Sequence, residues 1–175
     1  MKPKQVLAII FSVACLGLLA WLRVGRIMEI VNPSHDLVQS DGETIGVAAD
    51  DPEMLQAFER ARGTLPVFWK RMQDPGDDED GFSVKVPVRD NNGVEYFWLE
   101  QVSHADGRVR GAIGNKPEHV QSVTFGQYVE MPESLIVDWM YIRGDVIVGN
   151  YTARVLLKRM APAEAKKVEA HFVDP

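Results

Sequence analysis

"FSVKVPVRDNNGVEYFWLEQV", residues 82–102, decides the fold class. Its first half alternates Phe82, Val84, Val86 and Val88 with Ser83, Lys85, Pro87 and Arg89. Successive strand residues point to opposite faces, so this is a strand with one apolar face. Asn91, Asn92 and Gly93 tolerate positive φ, which a tight hairpin demands. Val94–Val102 then returns as the partner strand. Pro87 has no N–H to donate, which calls for an edge position or a bulge. Lys85 falls on the polar face and is expected in solvent.

The same signals recur downstream. "HADG" turns into "RVRGAIG", and a loop carrying Pro117 follows. "GQYVEMP" and "SLIVDWMYI" read as two further strands, and "RGD", 143–145, turns into "VIVG". That tripeptide matches an adhesion motif, but a tight turn calls for the same residues. The chain is therefore expected to hold about six short, mostly antiparallel strands.

Helices flank them. Asp51 suits an N-cap, Pro52 the first helical position and Glu53 the first turn. Leu55, Phe58 and Ala61 share a face, with Met54 beside them. Gly63 is expected to end this helix and Thr64 to cap another, with Leu65, Phe68, Trp69 and Met72 turned inward. Near the C-terminus Asn150 is expected to cap "YTARVLLKRM", with Tyr151, Val155 and Leu156 toward the sheet. "APAEAKKVEAHF" reads as a last helix in which Val168 and Phe172 dock one turn apart. The fold class is α+β: antiparallel strands packed with N-terminal and C-terminal helices, preceded by a single transmembrane or signal-like helix.

That first segment is "VLAIIFSVACLGLLAWL", residues 6–22, which carries no charge and follows Lys2 and Lys4. At ~1.5 Å per residue it spans about 26 Å, close to a ~30 Å hydrocarbon core. Trp21 and Gln5 suit the interfaces. An uncleaved membrane anchor is the favoured reading, with the domain outside the cytoplasm. A cleaved signal peptide, giving a secreted or periplasmic protein, and a lipoprotein signal at Cys15 compete with it. Residues 1–22 are thus anchor or signal, 23–46 a tether broken by Pro33 and Gly42, and 47–175 the domain.

Charge narrows the partners. The net charge is −6; residues 1–46 carry four of each sign, and the rest carry 15 Lys and Arg against 21 Asp and Glu. An acidic domain repels a phosphate backbone, so nucleic acid is excluded as a partner and a basic protein is favoured. His35, His104, His119 and His171 have no partners at metal-ligand spacing, and Cys15 stands alone, so no metal site is assigned. "DPGDDEDG", 74–81, fails as a calcium loop. With Gly81 sixth, Gly76 comes first and Pro87 twelfth, and neither offers a side-chain oxygen. It reads as a solvated acidic turn. No nucleophile elbow, phosphate loop or dinucleotide motif appears, so no catalytic residue or cofactor is assigned.

One constellation stands out. On "SLIVDWMYI", residues 134–142, alternation sets Leu135, Val137, Trp139 and Tyr141 on one face and Ile136, Asp138, Met140 and Ile142 on the other. Asp138 is then a carboxylate among apolar neighbours and needs a cation or several donors. Arg154 is the natural partner, since a guanidinium can clamp a carboxylate with two bonds. One reading has the pair lock the last helices to the sheet. The other has Asp138, Trp139, Asn150, Tyr151 and Arg154 line a binding pocket, with Trp98 as a further platform. "NYT", 150–152, fits a glycosylation sequon as well as a helix cap.

The ordered motifs "DDPEM", "TLPVFW", "GFSVKV", "NGVEYFWL", "GAIGNKP", "GQYVEMP", "DWMYIRGD" and "GNYTARVLL" together resemble the YegJ-like bacterial domain of unknown function, over about residues 47–173. The resemblance implies a compact α+β domain and carries over no activity, cofactor or catalytic residue. The expected function is a membrane-tethered, non-catalytic binding module for a protein partner; a toxin-neutralising, immunity-type role is one form of it. The competing class is a hydrolase-type enzyme or small-anion-binding domain, with Asp138 as base and Arg154 holding an anion.

Overall fold

The computed structural model describes residues 51–160 and 162–175, so the apolar run and tether lie outside the described residues. Among the described residues, no helix is long and apolar enough to cross a membrane. The order is α1 (Pro52–Gln73), β1 (Glu79–Asp90), β2 (Gly93–Ala105), β3 (Arg108–Ile113), β4 (Tyr128–Pro132), a 3-10 turn (Glu133–Leu135), β5 (Asp138–Arg143), β6 (Val146–Gly149), α2 (Tyr151–Leu157), α3 (Pro162–Glu169) and β7 (Phe172–Val173). The strands form one seven-stranded sheet in the order β4-β3-β2-β1-β5-β6-β7, antiparallel except for the β6–β7 pair.

The hairpin at 82–102 forms as its alternation requires, pairing Val84 with Leu99 and Val86 with Phe97. β1 and β2 run longer than expected, at 12 and 13 residues. Pro87 sits just past the end of the β1–β5 ladder, whose last pair is Lys85 with Asp138. Its missing N–H therefore faces no neighbouring strand. The "RGD" residues make the β5–β6 turn, with Gly144 at φ 60°.

α1 is one helix where two were expected. Asp51 Oδ1 accepts from the N–H groups of Glu53 and Met54, as a cap should. The helix then runs through Gly63 and Pro66 without a break. Pro66 removes one helical donor, and the Thr64 hydroxyl bonds back to the carbonyls of Arg60 and Ala61. Burial of Leu65, Phe68 and Trp69 against the sheet outweighs the helix-breaking residues. Leu55, expected inward, is 45% exposed; Met54, Ala57, Phe58 and Ala61 make the buried stripe instead.

α1 covers the sheet face that carries Val84, Val86, Phe97, Leu99, Trp139 and Tyr141. Phe68 is fully buried, with its ring centroid 5.4 Å from Trp139 and 5.7 Å from Phe82. Trp139 Nε1 donates to the Ala61 carbonyl at 2.9 Å, tying β5 to the middle of α1. The opposite face holds a second cluster of Trp98, Met140, Ile147 and Ala153, with Phe172 against it.

The last expected helix is cut short. It ends at Glu169, and Phe172 passes into β7 beside Ile147 instead of docking on Val168. β7 is the strand beyond the six expected. The acidic turn also holds a surprise: Glu79 is buried at its end, accepting from Arg71 at 2.6 Å and from the Gly76 N–H at 3.0 Å. The arginine holds its carboxyl below the usual range.

Candidate functional site

Three strands set three side chains in one row on the face away from α1. Lys85 on β1 pairs with Trp98 on β2 and with Asp138 on β5. Directly opposed residues in a ladder have neighbouring side chains, so register alone brings an indole, an ammonium and a carboxylate together. The chain closes over the row at the β6–α2 junction. Gly149 has φ 87°, and a Cβ there would lie 2.5 Å from the Trp139 carbonyl oxygen. Asn150 follows in the left-handed region at φ 51°. These two residues turn the chain back onto β5 and aim the first N–H groups of α2 at Asp138.

Asp138 is the helix cap that Asn150 was expected to be. Its Oδ1 accepts from the N–H groups of Tyr151 at 3.1 Å and Trp139 at 2.9 Å. Its Oδ2 accepts from the Thr152 N–H at 2.8 Å and the Thr152 hydroxyl at 2.6 Å. The Asn150 side chain makes no capping bond; its Nδ2 donates to Met140 Sδ at 3.4 Å. Asn150 is also fully buried, so it is no acceptor for a glycan in this fold.

Lys85 supplies the positive charge. Its Nζ donates to Thr152 Oγ1 at 3.0 Å and lies 4.7 Å from the centre of the Trp98 ring. The ammonium and the carboxylate thus meet through the Thr152 hydroxyl. Burial pushes Lys85 down from the usual lysine value of 10.5 to about 8, against the pull of Asp138. Burial likewise raises the Asp138 carboxyl, opposed by Lys85 and by the bonds from Thr152. Three buried polar atoms around the row have no partner: Trp98 Nε1, Asn115 Nδ2 and Asn150 Oδ1.

A hydroxyl between an amine and a carboxylate is the set of groups that nucleophilic catalysis uses. Here they are closed off: Asp138, Thr152 and Lys85 are 0%, 2% and 7% exposed. The row anchors the start of α2.

α2 carries its binding-type side chains on another side. Tyr151 and Arg154 line a cleft of about 460 Å³ between α1, α2 and α3, together with Gln56, Arg60, Lys158 and Phe172. The Arg60 and Arg154 guanidiniums lie 5.1 and 5.2 Å from the centre of the Tyr151 ring. Asp174 joins them, its Oδ2 accepting from Arg60 at 2.8 Å and its Oδ1 from Arg154 at 2.7 Å. Arg154 Nη2 also donates to the carbonyls of Gly149 at 3.0 Å and Val173 at 2.6 Å. Its Nε is buried without a partner.

The expected Asp138–Arg154 clamp therefore does not form. Asp138 lies inside the sheet row, whereas Arg154 points to the cleft and pairs with Asp174. Of the six candidate residues, Asp138, Asn150 and Trp98 belong to the buried row and its surroundings. Arg154 belongs to the cleft, Tyr151 to the core that floors it, and Trp139 to the same core beneath α1. Lys85 and Thr152 were missed. Lys85 is the clearest correction: its face of β1 is covered by α2 and Trp98. The available signal was the buried-acid logic applied to Asp138, since a carboxylate without Arg154 needs another cation. Among the described residues, no group of three or more His, Cys, Asp and Glu side chains could hold a metal.

Residues 51–172 match the model of a family described as uncharacterized proteins conserved in bacteria, DUF2314. The chain is 37% identical over 124 residues to the uncharacterized protein YegJ of Escherichia coli K12, covering 71% of this chain and 80% of that one. It is 27% identical over 139 residues to a putative ankyrin repeat protein of Neisseria meningitidis serogroup B. That match covers 73% of this chain and 54% of the relative, so the chain spans about half of that protein. No solved structure matches the chain. The chain belongs to the DUF2314 family, as the YegJ-like resemblance of its motifs implied.

Proposed function

We propose that this family member is a non-catalytic binding module that takes a protein partner in the cleft between α1, α2 and α3, and that residues 6–22 tether it to a membrane with the domain outside the cytoplasm. The observation that carries the reading is a contrast. The acid–base row of Lys85, Thr152 and Asp138 is sealed, while Arg60, Arg154 and Lys158 reach solvent in an open cleft floored by the buried Tyr151 ring. Arginine is among the side chains that anchor protein interfaces. The cleft carries both signs, with Arg60 and Arg154 on Asp174 and Lys158 on Glu53, so an acidic segment fits it where it takes the place of Asp174. The sealed row argues against a hydrolase with Asp138 as base.

The test is a crosslinked pull-down of the full chain from native membranes, beside Arg154→Gln, with a melt of each protein in parallel. A protein captured by the wild type and lost from a folded Arg154→Gln supports the module. The same proteins captured by both would move the function away from the cleft.

A further inference from the structure

The tail of the chain is held in an unusual way for so short a segment. β7 is two residues, added in parallel to β6, with Phe172 beside Ile147 and Val173 beside Val148. The Ile147 N–H donates to the His171 carbonyl at 2.7 Å. Phe172 packs on the Trp98, Met140, Ile147 and Ala153 cluster, while Val173 packs on the main core. Asp174 then takes both guanidiniums of the cleft. Each residue of Phe-Val-Asp is thus read in turn: an apolar seat, an apolar seat, a carboxylate clamp, with Arg154 also reading the Val173 carbonyl. Backbone pairing at a sheet edge with seats for alternate side chains is how strand-adding peptides are recognised.

We propose that the groove formed by the β6 edge and the Arg60–Arg154 clamp is a binding site for an extended segment of another protein bearing an aromatic, an aliphatic and an acidic residue in sequence, and that the chain's own Phe172–Asp174 is its resident competitor. This deepens the cleft reading above and rests on it for the presence of a protein partner. The tail is displaceable because its hold is slight. Phe172 and Val173 are only half-buried, and Asp174 is 52% exposed, where ion pairs contribute little. β7 pairs with only Ile147 and Val148 of the four β6 residues, so the ladder that holds the tail is short.

The experiment uses the full chain in mild detergent and a fluorescent peptide with the sequence of residues 169–175. Its anisotropy is measured against wild type, Phe172→Ala/Asp174→Asn, and that variant carrying Arg154→Gln. A tethered tail competes at an effective concentration in the mM range. The tail variant is therefore expected to bind the peptide at least tenfold more tightly than wild type, and Arg154→Gln to remove that gain. Equal affinity for wild type and tail variant, or a gain that survives Arg154→Gln, overturns the proposal. Should the double change melt the protein, Asp174→Asn alone is expected to raise peptide affinity several-fold, and an unchanged affinity overturns it. Peptide failure beside an Arg154-dependent captured partner would refute this ligand chemistry and leave the binding module standing. Peptide binding without any such partner would do the reverse.

Discussion

Asp138→Asn is the sharpest test of the buried row. The side chain keeps its size, so the loss comes from charge and hydrogen bonding. The carboxylate accepts four bonds, two at each oxygen, from Trp139, Tyr151 and Thr152. An amide can keep the two at its oxygen, but its NH2 then faces the Thr152 N–H, donor against donor. The Thr152 hydroxyl can turn and accept, but the backbone donor cannot. A buried donor left unpaired costs about 1–3 kcal/mol. Lys85 also loses the carboxylate that opposes its burial, and breaking one side of a buried charge pair costs about 3–5 kcal/mol. A total of about 4–8 kcal/mol would lower the melting temperature by roughly 15–30 °C for a domain of this size. Far-UV circular dichroism with urea and heat reads it directly. A pH series adds a signature. Lys85 titrates lower in the folded than in the unfolded chain, so the fold carries a buried charge at a penalty below its folded value of about 8. Stability from this group rises as pH climbs from there toward 10.5. Without Asp138 the folded value falls further and the rise begins at lower pH. A loss under about 1 kcal/mol with no change in pH slope would refute the role given to the row.

Other expectations follow from the same geometry. Lys85→Met should reverse the pH slope: Asp138, its carboxyl raised further without the ammonium, is neutral at low pH. The stability from Asp138 is present below its usual value of 3.8 and is lost as pH rises through the raised folded value, which a series of melts across pH would show. Gly149→Ala should cost several kcal/mol, because a Cβ at φ 87° meets the Trp139 carbonyl and ring at 2.5–2.7 Å; an urea midpoint shift reads it. Arg154→Gln loosens the tail with a smaller loss, ~2 kcal/mol, since two carbonyls lose a charged donor in a partly open place. Glu79→Gln should flatten the acid limb of the stability profile. The lowered Glu79 carboxyl contributes stability above the usual value of 4.5 and loses it as pH falls through its folded value.

Much of the fold was legible because it is written in local patterns. Alternation assigned faces correctly in β1 and, from Asp138 on, in β5. Before it a 3-10 turn breaks the expected strand, exposing Leu135 and putting Ile136 in the core with Trp139. Asn92–Gly93 and Gly144 marked hairpins. Asp51 and Pro52 marked the start of α1. The errors came where distant contacts override local preference. Gly63 and Pro66 are poor helix residues, but three large side chains beyond them bury against the sheet. Lys85 was assigned to solvent because alternation says which face a residue takes, not what covers that face. Arg154 was matched to Asp138 because both lay in one short stretch, whereas the true partners arrive through strand register and a left-handed turn. The tail carried no signal, since a two-residue parallel strand is set wholly by the edge it joins.

The proposed surface of function is the α1–α2–α3 cleft, with the sealed row as its support. Site-specific photo-crosslinking in living cells tests this most directly. One photoreactive residue replaces Gln56, which is exposed and lines the cleft; another replaces Phe125, 60% exposed in the loop before β4. A protein adduct is expected from position 56, lost when Arg154→Gln is added, and none from position 125. An adduct from position 125 with none from 56 would contradict it, and would place the partner at the other end of the sheet.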